Sequence, residues 1–189
     1  MMFKLVTVLL AGCVLSLPVH SDEALWSMLK TGGQVVLMRH AVTTPGVGDP
    51  DGMVLSDCNT QRNLTDGGHA HARRIGEAFR TRGISVTQVF SSPWCRCLDT
   101  ARLAFGLTPE ATPALSNLFG QVASNRQQIE GLRALVSRKP ASGNTVLVSH
   151  GSTIQAVTGI SPETGEMVVI MPLGGGRFTV AGRLEVPAR

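Results

Sequence analysis

Gln34 to Ala41 reads QVVLMRHA. Val35, Val36, Leu37 and Met38 form an unbroken apolar run with β-branched members, the pattern of a strand covered on both faces. The run stops at Arg39 and His40, and a stretch rich in Gly, Pro and Asp follows. Open α/β sheets bind ligands beyond the carboxyl ends of their strands. A cation and an imidazole at such an end mark a candidate site, although the same pair arises wherever a strand simply meets water.

A second stretch repeats the design. Asn144 to Gly151, NTVLVSHG, carries an apolar run, Val146 to Val148, that ends in Ser149 and His150. A third, Val89 to Ala101 (VFSSPWCRCLDTA), runs from a strand into a helix with Arg96 near its start. Ser92 suits the N-cap and Pro93 the first helical position, where a missing N–H is no loss. Arg96 then stands close to a helix N-terminus, a favourable place for an anion. Two histidines and two arginines at three strand ends predict a pocket for a doubly charged oxyanion.

Together these segments resemble the histidine phosphatase superfamily, with its phosphoglycerate-mutase-like fold. Arg39 and His40 match its arginine-histidine pair after the first strand. Arg96 with Thr100 and Ala101 matches its second arginine, and His150 with Gly151 its late histidine-glycine pair. Leu64, Thr65 and Gly68 match its Leu-Thr-x-x-Gly helix start. The motifs keep their order over roughly residues 34 to 160. The resemblance implies an α/β protein, a three-layer α/β/α sandwich around a mostly parallel central sheet. It also implies that His40 attacks phosphorus and that Arg39, Arg96 and His150 bind the phosphate, His150 being protonated when substrate is present. No cofactor and no metal are expected.

The chemistry asks for these residue types. A phosphomonoester carries about −1.5 to −2 charge, which repels an anionic nucleophile, whereas a neutral imidazole meets no such repulsion. Its second ring nitrogen must then donate to a fixed acceptor such as a backbone carbonyl. Guanidinium forks grip phosphate oxygens, and water hydrolyses the phosphohistidine. The acid that protonates the leaving alkoxide is not identified. Many relatives take a glutamate some way after the second arginine, but Ala111 to Ile129 holds no acid. Another branch uses an aspartate directly after the second histidine, where this chain has Gly151. Asp49, Asp51, Asp57, Glu110 and Glu166 remain as candidates. Some small relatives lack the acid and act on good leaving groups such as phosphohistidine.

At 189 residues, 43% hydrophobic and 16% charged, the chain is long enough for one domain with a sizeable core. Its net charge of +4 suits an anionic substrate. No basic run or aromatic platform suggests nucleic acid, and there is no Tyr. Residues 1–21 read as an export signal: Lys4, an apolar Leu5 to Leu17, and Val19-His20-Ser21 before Asp22. That apolar run falls short of the roughly 20 residues of a membrane span. Leu10-Ala11-Gly12-Cys13 also resembles a lipoprotein box, which would leave Cys13 lipidated and make the membrane a partner. The domain is expected over 22–189, in the periplasm or, on the second reading, lipid-anchored to the envelope.

Cys58 is expected to pair with Cys95 or Cys97, which are too close to each other to bridge within a helix. His69 and His71, two apart on a helix, point to different faces and do not suggest a metal pair. Val42 to Asn63 is a long Gly- and Pro-rich loop leaving directly from His40, where a substrate-facing role is expected; Arg62 is a candidate phosphate or sugar contact. Helices are predicted over Asp22 to Lys30, from the Thr65 N-cap to Arg82, from the Ser92 N-cap through Arg96 to Phe105, over Ser124 to Val136 and over Thr153 to Val157. Strands are predicted at Val86 to Phe90, Thr112 to Leu115 and Thr145 to Val148, with a terminal hairpin of Met167 to Met171 and Phe178 to Ala181. Arg73 and Glu77 have the spacing of a helical ion pair.

The functional expectation is an exported phosphatase acting on a small-molecule or glycan phosphomonoester, most like the periplasmic phosphatases assigned to heptose phosphates of lipopolysaccharide core. The alternative, kept open by the missing acid, is a catalytically silent relative that binds phosphorylated envelope glycans.

Overall fold

Within the apolar run at 35–38, alternate side chains enter different cores. Val36 and Met38 join a cluster with Leu25, Leu29, Ile75, Phe79 and Ala101, while Val35 and Leu37 join Leu132, Val136, Ile154 and Val157. A strand with helices on both faces has no polar side, so its sequence shows no alternation. The computed structural model describes residues 22–119 and 125–189; the proposed export segment, Cys13 and the predicted helix start at Ser124 lie outside them.

Six strands form one sheet: β1 (Val35–Arg39), β2 (Val86–Ser91), β3 (Glu110–Ala111), β4 (Asn144–Ser149), β5 (Met167–Gly174) and β6 (Arg177–Leu184). Their order is β3-β2-β4-β1-β5-β6. The β1–β4, β2–β4 and β2–β3 pairs are parallel, and β5 and β6 add antiparallel pairings on one side. Helices α1 (Asp22–Thr31), α2 (Asp66–Thr81) and α3 (Cys95–Phe105) cover one face, α4 (Arg126–Val136) and α5 (Gly151–Thr158) the other. This is the mostly parallel three-layer sandwich expected from the sequence. Helices α2 and α3 approach so closely that a Cβ on Gly76 would lie 1.8 Å from the Ala104 carbonyl oxygen. Pro172 is tolerated in β5 because β1 pairs it only as far as Ile170, leaving one neighbour beyond that point.

The structure corrects three local expectations. Ser92 and Pro93 do not open α3: the N-cap is Trp94, without a side-chain cap, and the helix starts at Cys95. Ser92 follows the end of β2, its N–H donating to the Val148 carbonyl of β4 at 2.9 Å, and its hydroxyl is engaged elsewhere. The predicted strand at Thr112 to Leu115 is replaced by β3 and a 3₁₀ turn, Pro113–Leu115, because Pro113 has no N–H for a ladder and Thr112 caps the turn at Ala114. Arg73 and Glu77 form no ion pair among the described residues. In addition, α5 begins at Gly151, two residues earlier than predicted, which makes His150 its N-cap.

Candidate active site

Strand register brings the two histidines together. Arg39 of β1 lies beside Ser149 of the parallel β4, so the residues that follow, His40 and His150, leave the sheet at the same edge. The His40 N–H donates to the Ser149 carbonyl at 3.0 Å, and the imidazole centroids stand 5.6 Å apart.

His40 is held as one tautomer. Its Nδ1 lies 2.8 Å from the carbonyl oxygen of Ala41, which only accepts, so Nδ1 carries the proton and Nε2 keeps its lone pair. The Ala41 N–H donates to Thr100 Oγ1 at 3.0 Å, and Thr100 Oγ1 donates to the Arg96 carbonyl at 2.6 Å. This chain of bonds explains why a threonine follows Arg96 by one helical turn: it ties α3 to the loop orienting His40. Burial lowers the His40 pKa to about 3; the Ala41 hydrogen bond opposes that shift, and the charges of Arg96 and Arg39 add to it.

His150 faces the same space and is also buried. Its Nε2 lies 2.8 Å from Ser92 Oγ, and its Nδ1 lies 3.4 Å from Arg96 Nη2. A guanidinium only donates, so Nδ1 is the acceptor and Nε2–H bonds the serine. Burial, followed by His40 and Arg96, pushes its pKa well below that of a free imidazole. The contacts with Ser92 and Arg96 hold it as the Nε2–H tautomer, with Nδ1 free of a proton.

Arg96 is wholly buried, yet its fork reaches Asp49 of the long loop: Nη1 donates to Oδ1 at 2.7 Å and Nη2 to Oδ2 at 3.0 Å. Asp49 also accepts from Trp94 Nε1 at 3.3 Å and from the Arg62 N–H at 3.1 Å. Burial alone would raise its pKa, but the hydrogen bond and charge of Arg96 outweigh that and hold it below the ordinary carboxylate value. Arg39 donates from Nη1 to Pro162 at 2.9 Å, and Arg62 from Nη1 to the Val47 carbonyl. Each of Arg39, Arg62 and Arg96 keeps a buried Nε–H without an acceptor among the described residues.

These groups line one cavity of about 850 Å³. Its floor is His40, His150, Arg39 and Arg96; its walls include Asp49, Arg62 and Trp94, and Asn117, Ser152 and Gln155 lie towards the exposed Phe119. The carboxylates proposed from sequence separate here. Asp49 lines the cavity, whereas Asp51, Asp57, Glu110 and Glu166 do not. Asp57 caps the 3₁₀ turn Cys58–Thr60 through Asn59. Glu110 is exposed on β3, and Glu166 is bound to Arg183.

The loop is closed and pinned. Thr43 bridges Leu64 at its base, and Cys58 is bonded to Cys95 at the start of α3, with Cα atoms 5.7 Å apart. Cys97 stays a buried thiol 3.5 Å from His150 Nε2, its pKa raised by burial to about 12. Gln61 adds a further tie, accepting from the Cys95 N–H at 3.0 Å. The roles of Ser92, Trp94 and Gln61 at the site were not read from the sequence, since each depends on a contact across more than 30 residues for which no local pattern exists. His71 lies away from the site, its Nε2 2.7 Å from the Val186 carbonyl.

The fold recurs in solved structures. The protein histidine phosphatase SixA complexed with tungstate superposes with a TM-score of 0.59 at 19% identity, covering 80% of this chain and 96% of its own. Phosphoserine phosphatase from Entamoeba histolytica in complex with 3-phosphoglyceric acid gives 0.58 at 14% identity, covering 82% and 98%. The alpha-ribazole phosphatase from Shigella flexneri gives 0.56 at 18%, covering 78% and 94%. None of the curated proteins compared matches the sequence. The family model of the histidine phosphatase superfamily (branch 1) matches residues 35–132, just over half of the chain from β1 into α4, and the chain therefore belongs to that superfamily.

Proposed function

We propose that this chain is an exported phosphomonoesterase that works through a phosphohistidine at His40. The observation that carries the reading is the neutral, singly oriented His40 imidazole in one cavity with His150 and three arginines, each keeping an Nε–H without an acceptor among the described residues. Nε2 of His40 attacks phosphorus and the bond to the leaving oxygen breaks; Arg39 and Arg96 hold the phosphoryl oxygens through charge-assisted bonds. His150, its Nε2–H held by Ser92, presents Nδ1 beside Arg96 and takes up a proton when the phosphate dianion arrives, stabilising charge on the transferring group. Water then attacks the phosphohistidine and releases phosphate.

Export and substrate class belong to the same proposal. The Cys58–Cys95 bridge supports an oxidising compartment, in keeping with the signal-like residues 1–21. Phosphorylated sugars of the cell envelope suit a cavity whose outer part is lined by uncharged Asn117, Ser152 and Gln155. Phosphate release from p-nitrophenyl phosphate and from envelope sugar phosphates between pH 4 and 8 tests the reading. His40→Ala is expected to abolish it, and alkaline quenching of the wild type to trap a phosphoenzyme that is stable in base and labile in acid. Because protonation of His40 disables the nucleophile, a kcat/KM profile extended below pH 4 is expected to show its acid limb near pH 3, not near 6.5. Release that survives His40→Ala overturns the mechanism. Tight phosphate binding with no turnover of any ester would favour the silent, glycan-binding alternative.

A further inference from the structure

A carboxylate occupies the arginine that this chemistry reserves for phosphate. Asp49 presents two oxygens to Arg96 in the fork-to-fork geometry that a phosphoryl group would also use. Both cannot hold the same two guanidinium nitrogens, so a phosphoryl group that takes the Arg96 fork moves Asp49 off it. The loop allows a local shift: Gly46, Gly48 and Pro50 surround Asp49, and the nearest covalent anchor is the Cys58 bridge. Of the five carboxylates considered for the missing acid, Asp49 is the one that lines the cavity.

We propose that Asp49 is the proton donor to the leaving group, loaded when the substrate's phosphoryl group displaces it from Arg96. The inference rests on the phosphomonoesterase reading of the same site. Displacement removes the partner that keeps the carboxyl ionised and leaves it in a half-buried wall, where burial favours the neutral form. The charged and titratable groups facing it are Arg96 from α3 and Arg62 from the segment before α2, with Arg39 and the two imidazoles of His40 and His150 on the cavity floor. The incoming phosphate dianion offsets those cations, so the displaced carboxylate takes a proton from solvent. As His40 Nε2 bonds to phosphorus, the ester P–O bond breaks and its electron pair goes to the leaving oxygen, which takes the Asp49 proton. In the second half-reaction the Asp49 carboxylate accepts a proton from the attacking water as the P–N bond breaks and its electron pair returns to His40 Nε2; when phosphate leaves, Asp49 gives that proton to solvent and returns to Arg96 as the carboxylate.

A leaving-group series tests the assignment. Wild type and Asp49→Asn are compared on p-nitrophenyl phosphate, phenyl phosphate and glycerol 2-phosphate. Proton donation contributes about 10²–10⁴-fold when the leaving group is a poor one. Asp49→Asn is therefore expected to lose about 10²-fold or more on the glycerol ester and less than about tenfold on the nitrophenyl ester. An equal loss on all three, no loss, or a uniform gain overturns the donor role. If the variant does not fold, the wild type alone decides: a shallow dependence of rate on leaving-group basicity supports a donor, and a steep one overturns it. Calorimetry of inorganic phosphate binding to His40→Ala, in buffers of different ionisation enthalpy, reads the loading step. His150 accounts for part of the proton uptake, so uptake that Asp49→Asn lowers without abolishing supports the loading step; uptake unchanged by that substitution overturns it. A wild type that hydrolyses none of the esters overturns the phosphomonoesterase reading, and this inference falls with it.

Discussion

Two carboxylates in this molecule grip an arginine in the same forked way, and their surroundings differ. Glu166 receives both Nε and Nη2 of Arg183, the latter at 2.7 Å, plus the Glu163 N–H at 2.7 Å; Asp49 receives both terminal nitrogens of Arg96. Burial opposes ionisation of both acids, and in both the arginine wins, so both pKa values lie below the ordinary range. Around Glu166, however, everything is committed. It sits in the turn before β5, its carbonyl accepts from the Arg39 N–H at 3.1 Å, and half of the Arg183 side chain faces water. Around Asp49 the arginine is the buried partner, its side chain 0% exposed, and the carboxylate stands in a cavity with two more guanidinium groups. The first pair is a clamp supporting the strand that carries Arg39 and His40. The second is a contact between a loop and the candidate site, which on the inference above an anion exchanges.

Breaking the Arg96 side should do the most damage. Arg96→Ala is expected to lower kcat by about 10²–10³-fold, the usual cost of removing one donor to a transferring oxyanion. Arg96→Lys should not recover it, because an ammonium keeps the charge and loses the fork. Steady-state kinetics on p-nitrophenyl phosphate check both, and wild-type rates in either variant would remove Arg96 from the site.

The bridge that pins the Asp49 loop should matter next, chiefly to stability. It cross-links residues 37 apart, and the chain-entropy account gives about 3–4 kcal/mol for a loop of that size. Urea unfolding with and without reductant, and of Cys58→Ser, is expected to show that loss in the midpoint. Coincident curves would mean the sulfurs are not joined.

The smallest effect belongs to the clamp. With Arg183 half exposed, Glu166→Gln is expected to cost about 1 kcal/mol or less and to leave turnover intact. The pH dependence has a definite sign. A carboxyl held below its ordinary pKa of 4.5 adds stability above that value and loses it as pH falls through the folded-state pKa. The difference between wild type and Glu166→Gln in urea titrations should therefore shrink as the pH drops below 4.5. A difference that grows on acidification would reverse the assignment, and lost turnover would erase the contrast with Asp49.

Much of the fold was legible before any coordinates. Buried parallel strands announce themselves as unbroken apolar runs, and helices as a 3.6-residue period, so β1, β4, α2 and the terminal hairpin fell close to where they were expected. Errors clustered where a side chain had two possible employers. Ser92 reads as an N-cap, yet its hydroxyl holds His150; Thr112 and Pro113 read as a strand start, yet they build a 3₁₀ turn.

Residue order along the chain determined that arginines and histidines would emerge at the ends of buried strands, because hydrophobic periodicity and strand length are local properties. Tertiary structure alone decided that Asp49 among five acids meets Arg96, that Cys95 and not Cys97 joins Cys58, and that Ser92 orients His150. Those choices depend on the path of the loop over 42–63, an aperiodic segment whose course is set by what it packs against and not by its own pattern of residues.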